Sequence, residues 1–273
     1  QEPVNPLYFG LKIKDNIKPN IKGLAIYPLE NSMVNNQKDP VYLDVFAENN
    51  IYSVENPIFN VSGEIAFGIN VFDQADGSDN KNGPYSIELF ADDSLIFSIV
   101  SHKYSYSETR YINSLIDYSY FIRKKERFVR TEIDEFNELN LYGEKNGIVT
   151  VNEDDTLNMK YVVKDYFDNV SILDFTLIGD KYSAVEKSEI LYSSGFNILN
   201  DKGSEIVLDG FEANVPKLAF YSNVSIKTSQ IDTIENIFSK YAYQIGNEEI
   251  ALHKKIKIRL DVKDGCLGDT SLY

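Results

Sequence analysis

The chain has 273 residues, of which 43% are hydrophobic, and this suffices for one large domain or two ordinary ones. Its formal net charge of −15 argues against nucleic acid or an anionic membrane surface as the partner, because both would repel it. No apolar run approaches the roughly 20 residues of a membrane-spanning helix. The 19 Tyr and 16 Phe residues favour half-buried sheet surfaces, so the composition predicts an all-β protein.

Strand patterns dominate the first 181 residues. The predicted strands are 21–29, 61–72, 85–90, 95–100, 147–151, 157–164 and 170–178. Turn-forming residues separate them, and 91–94 link two of them as a hairpin. About seven strands in this arrangement are typical of an immunoglobulin-like β-sandwich, which we place at residues 16–181.

A long turn at residues 73–84 carries several carboxylates. Asp73, Asp76 and Asp79 alternate there with other polar residues around Gly77. Oxygen ligands in such a pattern are what Ca²⁺ binds, so these three carboxylates form a candidate calcium site. The turn lacks the spacing and the closing Glu of an EF-hand loop. A turn without metal explains the same residues and is the interpretation we favour.

Residues 101–144 interrupt the strand pattern, and a segment of this length needs structure of its own. Helical spacing of apolar residues predicts a helix over 107–118, with Ser107 as its N-cap. The basic cluster that follows, 123–127, is interpreted as a solvated surface. Because loops on a rigid scaffold often carry function, we expect this insertion to be the interaction surface. Deletion of residues 111–130 is expected to spare the sandwich but to abolish partner capture.

The strand pattern restarts after residue 182 and predicts a second β-sandwich domain over 182–273. Its predicted strands are 189–192, 196–199, 206–208, 217–221, 224–227 and 256–262. A short helix is predicted at 231–241. The last strand lies close to the end of the sequence, so we expect this domain to be incomplete.

The sequence contains no recognisable catalytic constellation. Its two histidines, His102 and His253, lie in different predicted domains and are not spaced as a metal-binding pair. Cys266 is the only cysteine, and no neighbouring base supports it as a nucleophile. We therefore predict no catalytic residue in this chain.

Four stretches of the chain resemble one family. The first holds the turn Pro3-Val4-Asn5-Pro6, and the others are residues 80–90, 108–118 and 241–254. They resemble the region that follows the catalytic domain in zinc endopeptidases of the LytM/lysostaphin type. The most specific stretch is 108–118, which contains Arg110-Tyr111-Ile112-Asn113-Ser114.

The resemblance implies a non-catalytic accessory region of an enzyme that hydrolyses peptidoglycan cross-links. Residues 1–15 would then be a tail behind a catalytic domain outside this sequence, and zinc would belong to that domain. The implied location is the periplasm or cell envelope, and the implied partners are the enzyme's own catalytic domain, an envelope protein or peptidoglycan.

The family-like segment also supplies our candidate binding residues, which are Arg110, Tyr111, Asn113, Asp117 and Tyr118. The alternative function is a stand-alone cell-surface module that binds a glycan or a protein. Histidine ligand motifs encoded upstream of Gln1 would favour the accessory region, and another β module there would favour the alternative.

Overall fold

A computed structural model describes residues 9, 14–49, 51–103, 105–181, 195–231, 239 and 241–261. It is mostly β, with 48% strand and two short α-helices among the described residues, which confirms the predicted all-β class. Of these residues, those up to 133 together with 138–181 form one compact unit, and 134–137 together with those from 195 onward form another. The predicted tail and the predicted strand at 189–192 fall mainly or wholly outside the described residues, as does most of the predicted helix at 231–241.

The first unit contains twelve strands. They are β1 (Asn20–Pro28), β2 (Met33–Val34), β3 (Val41–Asp44), β4 (Phe46–Glu48), β5 (Ile51–Ser53), β6 (Ile58–Phe72), β7 (Ser86–Ala91), β8 (Ser94–Val100), β9 (Val129–Arg130), β10 (Val149–Val151), β11 (Thr156–Lys164) and β12 (Val170–Gly179). All seven strands predicted in this region are confirmed. The five that were not predicted, β2 to β5 and β9, have two to four residues each, too few to show a periodic pattern.

The long strand β6 joins two groups of strands. Its later part pairs with β1 and β10, and β1 pairs in turn with the edge strand β3. Its first residues run parallel to β12, from which the sheet continues through β11 and β7 to β8. Alternate apolar side chains from both groups fill one core, in which Phe67, Phe97 and Tyr161 are fully buried. The first unit is therefore sandwich-like.

The face of β1 and β6 that points away from this core carries small residues beside the buried Tyr27, which lies opposite Ala66. Gly23 and Ala25 lie on β1, and Ala66 and Gly68 lie on β6, with Ala25 directly opposite Gly68. A β-carbon added at Gly23 would lie 2.8 Å from Cζ of Phe128. The missing side chain is thus the space that the Phe128 ring occupies, and only 2% of Phe128 is exposed.

An aromatic cluster covers this small-residue face. The rings of Tyr42 and Tyr120 stack at a centroid distance of 4.0 Å, and Phe128 meets both edge-on at 5.4 and 5.3 Å. Asp117 accepts a hydrogen bond of 2.6 Å from the Tyr42 hydroxyl and one of 2.9 Å from the Tyr120 amide. The Asp117 carboxylate thus fixes the start of a helix to strand β3.

That helix belongs to the insertion, which contains a 3-10 helix (Tyr106–Tyr111), α1 (Ile112–Leu115) and α2 (Tyr118–Lys124). The single helix predicted over 107–118 is wrong in two respects. Its cap is Ser105 and not Ser107, because Ser105 forms a capping box with the glutamate three residues on. The helical run also breaks at Ile116, which is buried, extended and bridged to Val129.

Thr131, which follows strand β9 within the insertion, ties the insertion to the core strand β6. Its amide donates to the Phe67 carbonyl at 2.9 Å, and its hydroxyl accepts from the Phe67 amide at 2.9 Å. The same hydroxyl donates to the Gly147 carbonyl at 2.8 Å. Since the insertion contributes buried residues, removal of 111–130 would expose the small-residue face, and we now expect that deletion to destabilise the first unit.

The second unit contains two three-stranded sheets. Its strands are β13 (Gly195–Ile198), β14 (Ser204–Leu208), β15 (Phe211–Val215), β16 (Val224–Ile231), β17 (Ala242–Ile245) and β18 (Lys257–Leu260), in the orders β13-β16-β17 and β14-β15-β18. Side chains from both sheets share one small core. The strand predicted at 217–221 is wrong, because this segment is a turn followed by a bend, of which residues 219–221 are buried. The Asn200 side chain pairs with the backbone of this segment: it donates to the Phe220 carbonyl at 2.8 Å and accepts from the Phe220 amide at 2.9 Å.

We predict that Thr131→Val lowers the free energy of unfolding by about 3 kcal/mol. The substitution keeps the shape of the side chain but leaves the buried Phe67 amide and Gly147 carbonyl without their partner. Urea unfolding of the full chain followed by circular dichroism measures the change. Thr150→Val, at an exposed position of β10, is the matched control and should stay within about 0.5 kcal/mol of wild type. Equal stability of the two variants would contradict the bridging role of Thr131.

Candidate functional site

A groove of about 770 Å³ opens where the aromatic cover of the small-residue face ends. Its floor includes Asp44, Gly23 and Asn70, which lie opposite one another across β3, β1 and β6. One wall is the insertion around Phe128, and the other is the end of the long turn at 73–84. The volume lies in the range usual for small-molecule and peptide-fragment sites.

Positive charge collects at this groove. Four exposed cationic side chains line it, namely Lys22, Lys81, Lys125 and Arg127, against two acidic ones, Asp44 and Glu126. Within the described part of the chain, none of the four cations has a carboxylate oxygen within 4.0 Å. The chain as a whole has 42 acidic and 27 basic residues. The groove therefore differs from the rest of the chain, because its lining contains more basic than acidic side chains.

Local backbone features hold these cations in place. The β1–β6 register slips between Ile21 and Gly23, which makes Lys22 the extra residue of a β-bulge, and bulges commonly re-aim a side chain. Lys81 stands at the end of the long turn, which the backbone closes through two hydrogen bonds between Asp73 and Asn82, of 2.8 and 2.9 Å. Lys125 ends α2 in a left-handed conformation, with φ of 61°.

The five predicted binding residues lie next to the groove in sequence but do not line it. They are Arg110, Tyr111, Asn113, Asp117 and Tyr118. Arg110 is exposed, whereas Asp117 is buried and caps α2. The Tyr111 hydroxyl donates to Glu138 at 3.0 Å. Asp117 therefore has a clear structural role, and a binding role for the five residues stays a prediction.

The groove cations were missed at the sequence level for two reasons. Lys125 and Arg127 belong to the cluster 123–127, which is exposed as expected of a solvated surface, but Phe121 before it places both cations against one ring. Lys22 and Lys81 give no local signal, because only strand pairing and closure of the turn bring them together.

The structure regroups the candidate calcium ligands. Among the described residues, Asp73 lies with Asp15 and Asp165, and the ligand oxygens of these three residues fall within 4.8 Å of one another. Asp76 instead accepts a hydrogen bond of 2.9 Å from Asn16, and Asp79 is exposed. The sequence-predicted set of three is therefore not brought together as one site, and calcium binding itself stays a prediction.

Asp165 and Asp73, two of the carboxylates in this acidic cluster, differ in their surroundings. Asp165 is 1% exposed and accepts hydrogen bonds from the amides of Phe167 and Asn169, both 2.8 Å, and from the Asn169 side chain at 2.6 Å. Those bonds build the turn between β11 and β12. Burial, and then the charge of Asp165, raise the pKa of Asp73 from 3.8 to about 6, and Asp15 adds to the effect.

Neither histidine joins a metal-binding group among the described residues. His102 is exposed and its Nδ1 lies 2.7 Å from the Tyr85 hydroxyl. The His253 ring packs edge-on against Tyr221 at a centroid distance of 5.3 Å. Cys266 lies outside the described residues.

Searches with this chain against protein-family models, curated proteins and solved structures return no match. The family resemblance therefore rests on the four stretches of sequence alone. Among the described residues, no helix has the length and the apolar character needed to cross a membrane.

We predict that Asp73→Asn stabilises the chain at pH 7.5 but not at pH 4. A carboxyl whose pKa is raised in the folded state favours folding while it is protonated, and this advantage is lost as the pH rises through about 6. Asn cannot ionise, so the variant should gain about 1 kcal/mol at pH 7.5, a gain that solvent screening of the half-buried group limits. Urea unfolding at both pH values measures it.

The control for this prediction is Asp79→Asn, the same charge change at an exposed position of the same turn. It should leave the unfolding free energy within about 0.5 kcal/mol of wild type at both pH values. An equal gain from the two variants would show that net charge, and not the acidic cluster, sets the pH dependence.

Isothermal titration at pH 7.5 tests the calcium hypothesis. We expect no saturable heat at about 1 mM Ca²⁺, the affinity range of extracellular calcium modules, because the oxygens of Asp165 are already engaged by its own turn. A saturable heat that Asp73→Asn removes and Asp79→Asn retains would contradict this expectation and would establish a cation site at the acidic cluster.

Proposed function

We propose that the chain is a non-catalytic accessory region of a LytM-type zinc endopeptidase that acts on peptidoglycan cross-links. Its task is binding: the first unit holds envelope material, or a partner next to it, while a catalytic domain outside this sequence performs the hydrolysis. One observation carries the proposal, namely the groove lined by four cations without an ion pair in the described part of a strongly acidic chain.

Envelope peptidoglycan suits this groove in its chemistry. Its peptides carry free carboxylates, and unpaired lysine and arginine side chains attract carboxylates and steer their approach. Nucleic acid is a poor ligand for this groove, because the rest of the chain is acidic and repels a polyphosphate backbone. The site is thus suited to a ligand with few, separated negative charges.

The remaining parts of the proposal follow from the strand pattern, which predicts the sandwich, and from the resemblance, which implies the zinc and the location. The first unit is an immunoglobulin-like sandwich, the zinc belongs to the catalytic domain, and the protein functions in the periplasm or cell envelope. The insertion, which contributes Tyr120, Lys125 and Arg127 to the groove, is the part of the first unit that adapts the scaffold to binding.

Co-sedimentation with purified peptidoglycan sacculi tests the binding function. We expect wild type to sediment with the sacculi, and Lys22→Glu/Lys81→Glu and Lys125→Glu/Arg127→Glu each to bind about tenfold more weakly, because each reverses half of the positive charge of the groove. Binding should also weaken as salt is added.

The matched control is Lys38→Glu/Lys145→Glu, which makes the same change in net charge at exposed positions outside the groove. It should bind as wild type does. If all three variants lose binding equally, net charge and not the groove determines it. If wild type does not sediment with sacculi at all, the proposed function is wrong.

A further inference from the structure

The four groove cations fall into two pairs, and each pair shares one aromatic ring. The Nζ atoms of Lys22 and Lys81 lie 6.0 and 4.5 Å from the centroid of the Phe72 ring. Lys125 Nζ and the Arg127 guanidinium carbon lie 5.7 and 4.8 Å from the centroid of the Phe121 ring. We call these two groups the Phe72 pair and the Phe121 pair.

A ring holds a cation without neutralising it. The quadrupole of an aromatic face attracts an ammonium or guanidinium group, but it carries no net charge. Each pair therefore keeps two full positive charges within 6.0 Å of one ring centroid, and both charges attract an added anion. The acidic residues that line the groove, Asp44 and Glu126, form no ion pair with either pair of cations among the described residues, and the cations outnumber them by four to two.

The two pairs stand on different parts of the fold. The Phe72 pair is carried by the β1 bulge and the long turn after β6, whereas the Phe121 pair is carried by the end of α2. The surface between them includes Gly23, Leu43 and Asn70, which provide backbone, one apolar side chain and one amide. That surface suits the uncharged backbone of a peptide better than it suits a further negative charge between the two pairs.

We infer that the groove binds an acidic peptide through two carboxylates, one at the Phe72 pair and one at the Phe121 pair. This inference rests on the proposed binding function and names the part of the ligand that the groove recognises. A peptide meets the requirement because its charges are few and separated. A dense polyphosphate meets it poorly, because Asp44 and Glu126 and the acidic remainder of the chain repel closely spaced negative charge.

Fluorescence anisotropy with the full chain and a labelled peptide tests the inference. The probe is Ala-Glu-Ala-Ala-Glu-Ala, blocked at both ends, so that its two side-chain carboxylates are its only charges. Replacement of either Glu by Gln should weaken binding about tenfold, and replacement of both should abolish it. Lys22→Glu/Lys81→Glu and Lys125→Glu/Arg127→Glu should each weaken binding of the two-Glu peptide about tenfold.

A comparison of variants shows whether each pair takes one carboxylate. Once one pair is reversed, a peptide with a single Glu should bind at least as well as the peptide with two, because only one carboxylate still has a partner and the introduced glutamates repel the other. Lys38→Glu/Lys145→Glu should bind the two-Glu peptide as wild type does. If the Gln peptides bind as tightly as the Glu peptide, or if polyphosphate binds while the Glu peptide does not, the inference is overturned.

Failure of the inference is distinguishable from failure of the proposed function. Suppose that wild type sediments with sacculi, that the groove variants do not, and that the Glu peptide does not bind. The groove would then remain a binding site, but the acidic peptide would be rejected as its ligand. Absence of both sacculus and peptide binding would reject the function itself.

Discussion

The outer face of β1 and β6 determines how the first unit is built. Gly23, Ala25, Ala66 and Gly68 remove the side chains that an outward-facing sheet surface would normally present to solvent. A sheet face with so few large side chains leaves backbone and methyl groups exposed unless something covers it, and the Phe128 ring lies where a Gly23 β-carbon would stand. The insertion supplies that cover, and its helix α2, the buried Asp117 and the bridging Thr131 all serve to hold it there.

The groove is a consequence of where this cover ends. Next to Phe128 the sheet surface forms the floor of the groove, and the bulge at Lys22, the long turn and the end of α2 each bring a cation to its rim. Because aromatic rings and not carboxylates support these cations, their charge remains available to a ligand. The scaffold thus explains both the position and the charge of the site.

Sequence patterns reach the regular parts of this molecule and stop at its irregular ones. The seven predicted strands of the first unit follow from alternation and turn residues, since burial on one face leaves a period of two in the sequence. The break at Ile116 does not, because it depends on a bridge to Val129 that forms only after folding. Asp73, Asp15 and Asp165 are far apart in the sequence and come together only in the folded chain. The local spacing of residues in the 73–84 turn could not reveal this group. The sequence shows the basic cluster 123–127, but it does not show that two of these cations share the Phe121 ring or that they line a groove.

Native-state hydrogen exchange tests most directly whether the insertion is an integral cover. The Asp117 amide donates to the Phe128 carbonyl, and the Thr131 amide donates to the Phe67 carbonyl, each at 2.9 Å. If the cover and the sandwich form one cooperative unit, both amides should exchange with opening free energies within about 1 kcal/mol of the Tyr161 amide in β11. Opening free energies several kcal/mol lower at Asp117 and Thr131, with Tyr161 still protected, would show that the insertion detaches on its own and would contradict this account.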